Sequence, residues 1–240
     1  MEKMNLLREP LSDESGFMSK SFPRRSFLRY SGAGVAAVTL VMAGCSKEAL
    51  ITPQVQEEGE GINLGSGDFG ILNYAYALEQ LEAAFYTMVV NQPYSGITAM
   101  EKSYMVDIYR HEVAHREFFK NALGTNAIPA LEVDFSLINF ASRDSVLGTA
   151  KAFEDLGVSA YNGAGALLQS VDYLLLAGKI VSVEARHAAL IRDLIECGSF
   201  ANKEVIDANG LDVVRTPAEV LAIAGTYIKS KINASNLPTT

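Results

Sequence analysis

The sequence predicts an all-α protein: an antiparallel four-helix bundle with a long connection between its second and third helices and a short C-terminal helix. Apolar residues recur at every third or fourth position in four long segments after residue 67. Glycines, prolines and Thr-x-x-Glu patterns bound these segments, and no convincing period-two alternation lies between them. With 49% hydrophobic residues among 240, the chain can bury the core of one domain.

Residues 1–44 are predicted to be an export signal. Arg24 and Arg25 precede an uncharged stretch at 30–44 that is too short to span a bilayer as a mature helix, and the pair resembles a twin-arginine signal. The stretch ends in Met42-Ala43-Gly44-Cys45, which resembles a bacterial lipobox. We therefore expect cleavage before Cys45, a lipid on this cysteine, and membrane attachment at the periplasmic side or the cell surface of a bacterial envelope. The alternative is an uncleaved signal anchor with an incidental cysteine.

Residues 45–67 are polar and glycine-rich, which predicts a flexible tether before a bundle at 68–198. The first helix is expected to begin at Asp68 as its N-cap and to reach about Val90. Thr98-Ala99-Met100-Glu101 is a capping-box pattern that opens a second helix, which runs to Leu123 and stops at Gly124. Two helices joined by so short a turn should lie antiparallel.

The connection at 125–142 is long enough to cross the length of a bundle. A third helix is expected from Asp144 to Leu168, with glycines that usually mark close packing, and a fourth from Val171 to Cys197. Residues 199–240 form a C-terminal extension, in which Thr216-Pro217-Ala218-Glu219 opens a short helix to about Lys229.

Charge and cysteine content exclude several classes of function. With 20 basic and 28 acidic residues the formal net charge is −8, which argues against a nucleic-acid partner. Cys45 and Cys197 are the only two cysteines, so neither a disulfide scaffold nor an all-thiolate metal site can form. A metal site in this chain must therefore use carboxylates and histidine.

The motif Glu-x-x-His occurs twice, as Glu112-Val113-Ala114-His115 on the second predicted helix and as Glu184-Ala185-Arg186-His187 on the fourth. Side chains three residues apart lie about 60° apart around a helix, so each pair can reach a common point. The first and third helices also match each other, because Glu79 precedes Tyr86 by seven residues and Glu154 precedes Tyr161 by seven. The chain therefore resembles two related helical hairpins.

The four glutamates fall within otherwise apolar helix faces, and burying them together would be costly without neutralisation. Two divalent cations would balance four carboxylates, and oxygen and imidazole ligands suit iron or manganese, with zinc as a further occupant. The first and third helices supply terminal carboxylates, the two Glu-x-x-His glutamates bridge, and each histidine is terminal on one metal. The predicted ligands are Glu79, Glu112, His115, Glu154, Glu184 and His187.

Four further side chains are expected to surround these ligands: Glu82, Tyr86, Tyr161 and Arg186. Glu82 aligns with Gly157 in the other hairpin, so Glu79 is the preferred ligand and Glu82 an adjacent or alternative one. The tyrosines are interpreted either as residues that hydrogen-bond the ligand carboxylates or pass electrons, or as core aromatics. Arg186 is expected either to pair with a carboxylate at or beside the ligands or, more simply, to be exposed. The alternative for the whole cluster is that its glutamates lie on the surface of helices.

One glutamate on each of two helices and Glu-x-x-His on two others resemble the ferritin-like di-metal carboxylate superfamily. The strings 76–86 and 183–189 look like exported ferritin-like domain proteins of the desiccation-related type. The resemblance covers about 68–198 and implies a di-iron or di-manganese centre that reacts with dioxygen or peroxide, as an oxidase or a peroxide-consuming enzyme. A non-catalytic metal-binding or stress-protective envelope protein is the second hypothesis. The sequence leaves the oligomeric state open.

A competing motif overlaps the second helix. His111-Glu112-Val113-Ala114-His115 matches the zinc-protease pattern of two histidines with a glutamate that activates water. This hypothesis needs a third ligand, for which Glu132 and Glu154 are available, and an edge strand that the sequence does not predict. It also leaves Glu184 and His187 without a role. Under the di-metal hypothesis, His111 is expected at the outer seam of the bundle, packed or solvated, and not at the metal.

Overall fold

The computed structural model describes residues 61–239, so the predicted signal segment, Cys45 and most of the predicted tether lie outside the described residues. Within this range there are four long helices and one short one: α1 (Gly67–Asn91), α2 (Ala99–Leu123), α3 (Arg143–Gly165), α4 (Val171–Ile195) and α5 (Pro217–Ala224). None of the helices in the described part is long and apolar enough to cross a membrane.

The long helices form a four-helix bundle, which confirms the predicted fold class. Helix α1 packs along α2, α3 packs along α4, and α1 also contacts α3. The long connection between α2 and α3 covers part of this core: the rings of Phe135 and Phe140 lie 6.1 and 5.9 Å from the ring of Phe85 on α1. Its length therefore serves packing as well as crossing the bundle.

The predicted caps explain where several helices begin. At the start of α2 the Glu101 N–H donates to Thr98 Oγ1, and Glu101 Oε2 accepts from the Thr98 N–H, as a capping box requires. Thr216 and Glu219 form the same box at α5. The predicted ends of α3 and α5 were too late, since α3 ends at Gly165 and α5 at Ala224.

The prediction of Asp68 as the N-cap of α1 was wrong. Ser66 takes that position without a side-chain hydrogen bond, and Asp68 lies in the first turn. Its carboxylate instead accepts hydrogen bonds from the N–H groups of Gln169 at 2.8 Å and Ser170 at 2.9 Å. Asp68 thus joins the start of α1 to the turn between α3 and α4, a contact across 101 residues that no local pattern reveals.

The predicted tether ends earlier than expected. Two strands, β1 (Ile62–Asn63) and β2 (Ile232–Asn233), pair in parallel, and Leu64 is fully buried. Residues 61–66 are therefore part of the folded domain. The partner of β1 lies near the C-terminus, so their polar and glycine-rich composition does not reveal the pairing.

The C-terminal extension packs back onto the bundle near the middle of α3 and the C-terminal end of α4. Arg192 of α4 is almost fully buried, donates two 2.7 Å hydrogen bonds to the carboxylate of Asp155 on α3, and donates a third to Glu204 in the extension. A bidentate guanidinium–carboxylate pair fixes orientation as well as distance. The extension therefore helps to hold the second hairpin together.

Gly163 lies where the backbones of α3 and the extension come close together. A Cβ at this position would lie 1.8 Å from the carbonyl oxygen of Arg215, whereas a Cβ at Gly148 on the same helix would meet nothing within 4 Å. The prediction that glycines of the third helix mark close packing therefore holds for Gly163 but not for Gly148.

Gly163→Ala is expected to lower the free energy of unfolding by about 1–3 kcal/mol, because backbone has to move to admit the methyl group. Gly148→Ala is the matched control and is expected to be neutral or stabilising by up to about 1 kcal/mol through helix propensity. Urea unfolding of both variants measures the difference. Equal effects of the two substitutions would contradict the docking of the extension on α3.

Candidate metal centre

Six ionisable side chains converge in the middle of the bundle. Two overlapping groups form there, in each of which the potential ligand atoms all lie within 4.8 Å of one another. The first group is Glu79, Glu112, His115 and Glu184, and the second is Glu112, Glu154, Glu184 and His187. Glu112 and Glu184 belong to both groups, as expected of bridging carboxylates. The six residues predicted as ligands are therefore brought together.

Each helix contributes as the periodicity predicts. Helices α1 and α3 carry Glu79 and Glu154, while α2 and α4 each carry a Glu-x-x-His pair whose two side chains lie on one face. The four glutamates are completely buried. The alternative that these glutamates lie on the surface was wrong.

The shortest contacts cross between the hairpins. His115 Nδ1 on α2 lies 2.7 Å from Glu184 Oε1 on α4, and His187 Nδ1 on α4 lies 2.9 Å from Glu112 Oε1 on α2. The other carboxylates around each Nδ1 are 3.4–3.6 Å away. Each imidazole therefore turns Nδ1 toward the carboxylates of its own group.

Several atoms of the cluster lack a hydrogen-bond partner, although they are buried and close together. They are Glu79 Oε2, both oxygens of Glu112, His115 Nδ1, Glu154 Oε2, both oxygens of Glu184 and His187 Nδ1. Unsatisfied buried polar atoms are rare in folded proteins and call for an explanation. A cation in each group would satisfy all of these atoms, so the residues fit a pair of metal ions.

Burial and mutual repulsion disturb the titration of the cluster. Burial, followed by the charge of Glu184, raises the pKa of Glu112 to about 8, and burial raises the pKa of Glu154 to about 7. Burial alone would lower the pKa of both histidines, but the surrounding carboxylates outweigh it and raise each to about 12. In the absence of a cation, the cluster therefore retains protons that reduce its negative charge.

Two tyrosines hold the terminal carboxylates from opposite hairpins. Tyr86 on α1 donates to Oε1 of Glu154 on α3, and Tyr161 on α3 donates to Oε1 of Glu79 on α1. In each carboxylate the other oxygen, Oε2, is the one without a partner. The hydrogen-bonding interpretation of these tyrosines is therefore confirmed, and each fixes one oxygen while leaving the second for a ligand.

The other two expected neighbours behave differently. Glu82 is buried, and one of its oxygens lies 3.1 Å from where a Cβ of Gly157 would stand, so the glycine makes room for this carboxylate. It belongs to neither group of potential ligands. Of the two expectations for Arg186, a pair with a carboxylate near the ligands was wrong and exposure is found: the side chain is exposed and donates to the carbonyl oxygen of Ser182. It precedes His187 by one residue and is therefore rotated by about 100° around α4.

His111 was missed as a neighbour of the site. It is exposed, as expected at an outer seam, but its Nδ1 lies 2.9 Å from Nε2 of His187. The contact depends on how closely α4 passes α2 at this level. The only sequence signal is the position of His111 immediately before Glu112, which does not by itself indicate a partner.

The zinc-protease arrangement is not formed within residues 61–239. His111 belongs to neither group of potential ligands, and Glu112, which should activate water in that hypothesis, lies in both. Glu132 is 72% exposed and pairs with Lys229, so it does not serve as a third ligand.

The comparison with protein families agrees with the geometry. A family model described as a ferritin-like domain matches residues 67–196. The matched stretch contains all four long helices and the six converging residues. No curated protein matches the chain.

The metal-free protein is expected to lose stability as the pH rises from about 6 to about 9. The folded pKa values of Glu112 and Glu154 lie above their ordinary value of 4.5, and those of both histidines lie above 6.5, so the folded chain binds more protons than the unfolded chain in this range. The pKa of Glu184 is lowered to about 2, so this residue makes stability increase with pH, but only in acid, below pH 6.

Urea unfolding of chelator-treated protein at several pH values tests this expectation. Because bound cations take the place of the protons, the metal-loaded protein is the control and should show a flatter dependence on pH. Stability of the metal-free protein that stays constant or increases with pH would contradict the proton-retaining cluster.

Proposed function

The chain belongs to the ferritin-like domain family, and from this premise we propose that it binds two divalent metal ions, iron or manganese, and uses them to reduce dioxygen or hydrogen peroxide. Glu79 and His115 would hold one ion, Glu154 and His187 would hold the other, and two carboxylates would be shared between them. The bridging pair is Glu112 and Glu184, whose oxygens take part in both groups of potential ligands.

A single observation carries this proposal: buried, unpartnered carboxylate and imidazole atoms surround two neighbouring points. Each point is lined by three carboxylates and one imidazole, a donor set that favours iron or manganese over copper(I) or thiolate clusters. Zinc also accepts these donors, so metal identity is part of the proposal and is tested directly below.

The bound ions would supply Lewis acidity and electron transfer. The chain supplies the geometry: Tyr86 and Tyr161 orient the terminal carboxylates, and the apolar core around the glutamates excludes water. The His115 side chain is 13% exposed and that of His187 is 5% exposed, so the first group lies closer to solvent.

A non-catalytic metal-binding role, for example in stress protection of the envelope, is the second candidate. It is favoured by the cysteine content, because two cysteines separated along the chain provide no Cys-x-x-Cys module to deliver electrons. An external reductant would then be needed for turnover. Dioxygen and peroxide consumption therefore separate the two candidates.

We also propose that the chain is exported and anchored by lipid. The support comes from sequence alone: the paired arginines at 24 and 25, the uncharged stretch that follows, and the small residues before Cys45. An attached bundle would act at the membrane surface of the envelope.

Metal analysis of protein purified from its native host is expected to find about two equivalents of iron or manganese per chain. Glu184→Gln should lower occupancy because it removes a bridging charge, whereas Glu117→Gln on α2, outside both groups, should leave it unchanged. Consumption of dioxygen or peroxide by the loaded protein with an added reductant supports the oxidoreductase. Bound metal without turnover supports the non-catalytic candidate, and a folded protein without metal contradicts both.

Lipid attachment is tested separately by labelling cells with a radioactive fatty acid. Cys45→Ala is expected to abolish labelling and to release the protein from the membrane fraction. Cys197→Ala is the matched control and should retain both, because Cys197 is a free, exposed cysteine outside the lipobox. Persistent labelling of Cys45→Ala would show that the lipid is absent from this residue.

A further inference from the structure

We propose that His111 is a positioning residue: it holds the His187 imidazole so that Nδ1 binds a cation, and it thereby makes the two halves of the metal centre unequal. The inference rests on the proposed function, because it needs a cation at His187. It concerns a residue that belongs to neither group of potential ligands.

The geometry is that of a ring held from both sides. The two histidine rings are nearly parallel, with an angle of 7° between their planes, and His111 Nδ1 lies 2.9 Å from His187 Nε2. On its opposite edge, His187 Nδ1 lies 2.9 Å from Glu112 Oε1. The two nitrogens of His187 therefore have different neighbours, one at the centre of the bundle and one at its exposed seam.

The positions of the protons on the two rings follow from the role of His187 as a metal ligand. A metal-binding imidazole is neutral and uses the lone pair of the bound nitrogen, so His187 must carry its proton on Nε2 when Nδ1 binds the cation. Nε2–H then donates to Nδ1 of His111, which accepts and carries its own proton on Nε2. In this direction, with His111 as the acceptor, the hydrogen bond stabilises the His187 tautomer that exposes a lone pair to the cation.

Among residues 61–239, the other half of the centre lacks this support. The Glu-x-x-His motifs are offset by 72 residues, which pairs His111 with Val183 in the second hairpin. Valine has no acceptor atom, so the position matching His111 offers no hydrogen bond to His115. Partners that orient a metal-bound histidine typically change metal affinity by about 10- to 100-fold. We therefore expect the hydrogen bond from His187 to His111 to raise the affinity for the cation at His187, with no matching effect on the cation at His115.

Cobalt(II) titration of the metal-free full chain, followed by calorimetry and visible absorption, tests this inference. The wild-type protein should bind two ions in separable steps. His111→Leu should weaken the step assigned to His187 by about 10- to 100-fold. His111→Asn places an amide oxygen near the site of Nδ1 and should restore most of that affinity. Val183→Ala is the matched control from the other hairpin and should leave both steps unchanged.

Nitrogen-15 NMR of the zinc-loaded wild-type protein gives a second measurement, which should show His187 protonated at Nε2. A comparison with His111→Leu extends it: exchange of this proton should be slow in the wild-type protein and fast in the variant. Unchanged cobalt affinities in His111→Leu, equal weakening in His111→Asn, or a His187 proton on Nδ1 would overturn the inference. A folded wild-type protein that binds no metal would instead overturn the proposed function.

Discussion

The burial of four carboxylates beside two imidazoles is the constraint around which this bundle is built. The effective penalty for placing one ion in a protein interior is several kcal/mol, while the net stability of a whole domain is about 5–15 kcal/mol. Four uncompensated carboxylates would consume that margin, so protons or cations must accompany Glu79, Glu112, Glu154 and Glu184. The raised pKa values of both histidines show how the metal-free chain meets this demand, and the unpartnered atoms show that it does so incompletely.

The site also couples the two hairpins. The nearest carboxylate to His115 is on α4 and the nearest to His187 is on α2, while each tyrosine hydroxyl reaches a glutamate of the opposite hairpin. Neither hairpin can form either half of the centre alone. Helix packing, tyrosine hydrogen bonds and ion pairing therefore depend on the same alignment of the hairpins. The Arg192–Asp155 pair and the docked extension reinforce the second hairpin.

The fold and the six central residues could be predicted because they are properties of single helices. A 3.6-residue period places apolar residues and the Glu-x-x-His pairs on one face, and capping residues mark the ends. The features that were missed depend on pairing between distant parts of the chain. They include the β1–β2 strand pair, the hydrogen bonds from Asp68 to the α3–α4 turn, and the contact between His111 and His187. Local sequence does not predict which distant residue a polar group will contact in the folded chain.

The two hairpins are similar enough to build matching halves, yet their differences concentrate around the site. Glu82 faces Gly157 where a symmetric chain would place a second carboxylate, and His111 corresponds to Val183. These differences lie next to the ligands. The helices that carry the ligands remain similar in the two hairpins. Helix geometry fixes which residues serve as ligands, while neighbouring side chains set the orientation and solvent access of those ligands. A centre with a symmetric ligand set can therefore acquire unequal halves through side chains that bind no cation. The exposed fraction of the side chain is smaller for His187 than for His115. This difference has the same origin, because the ring of His111 contacts His187 and not His115.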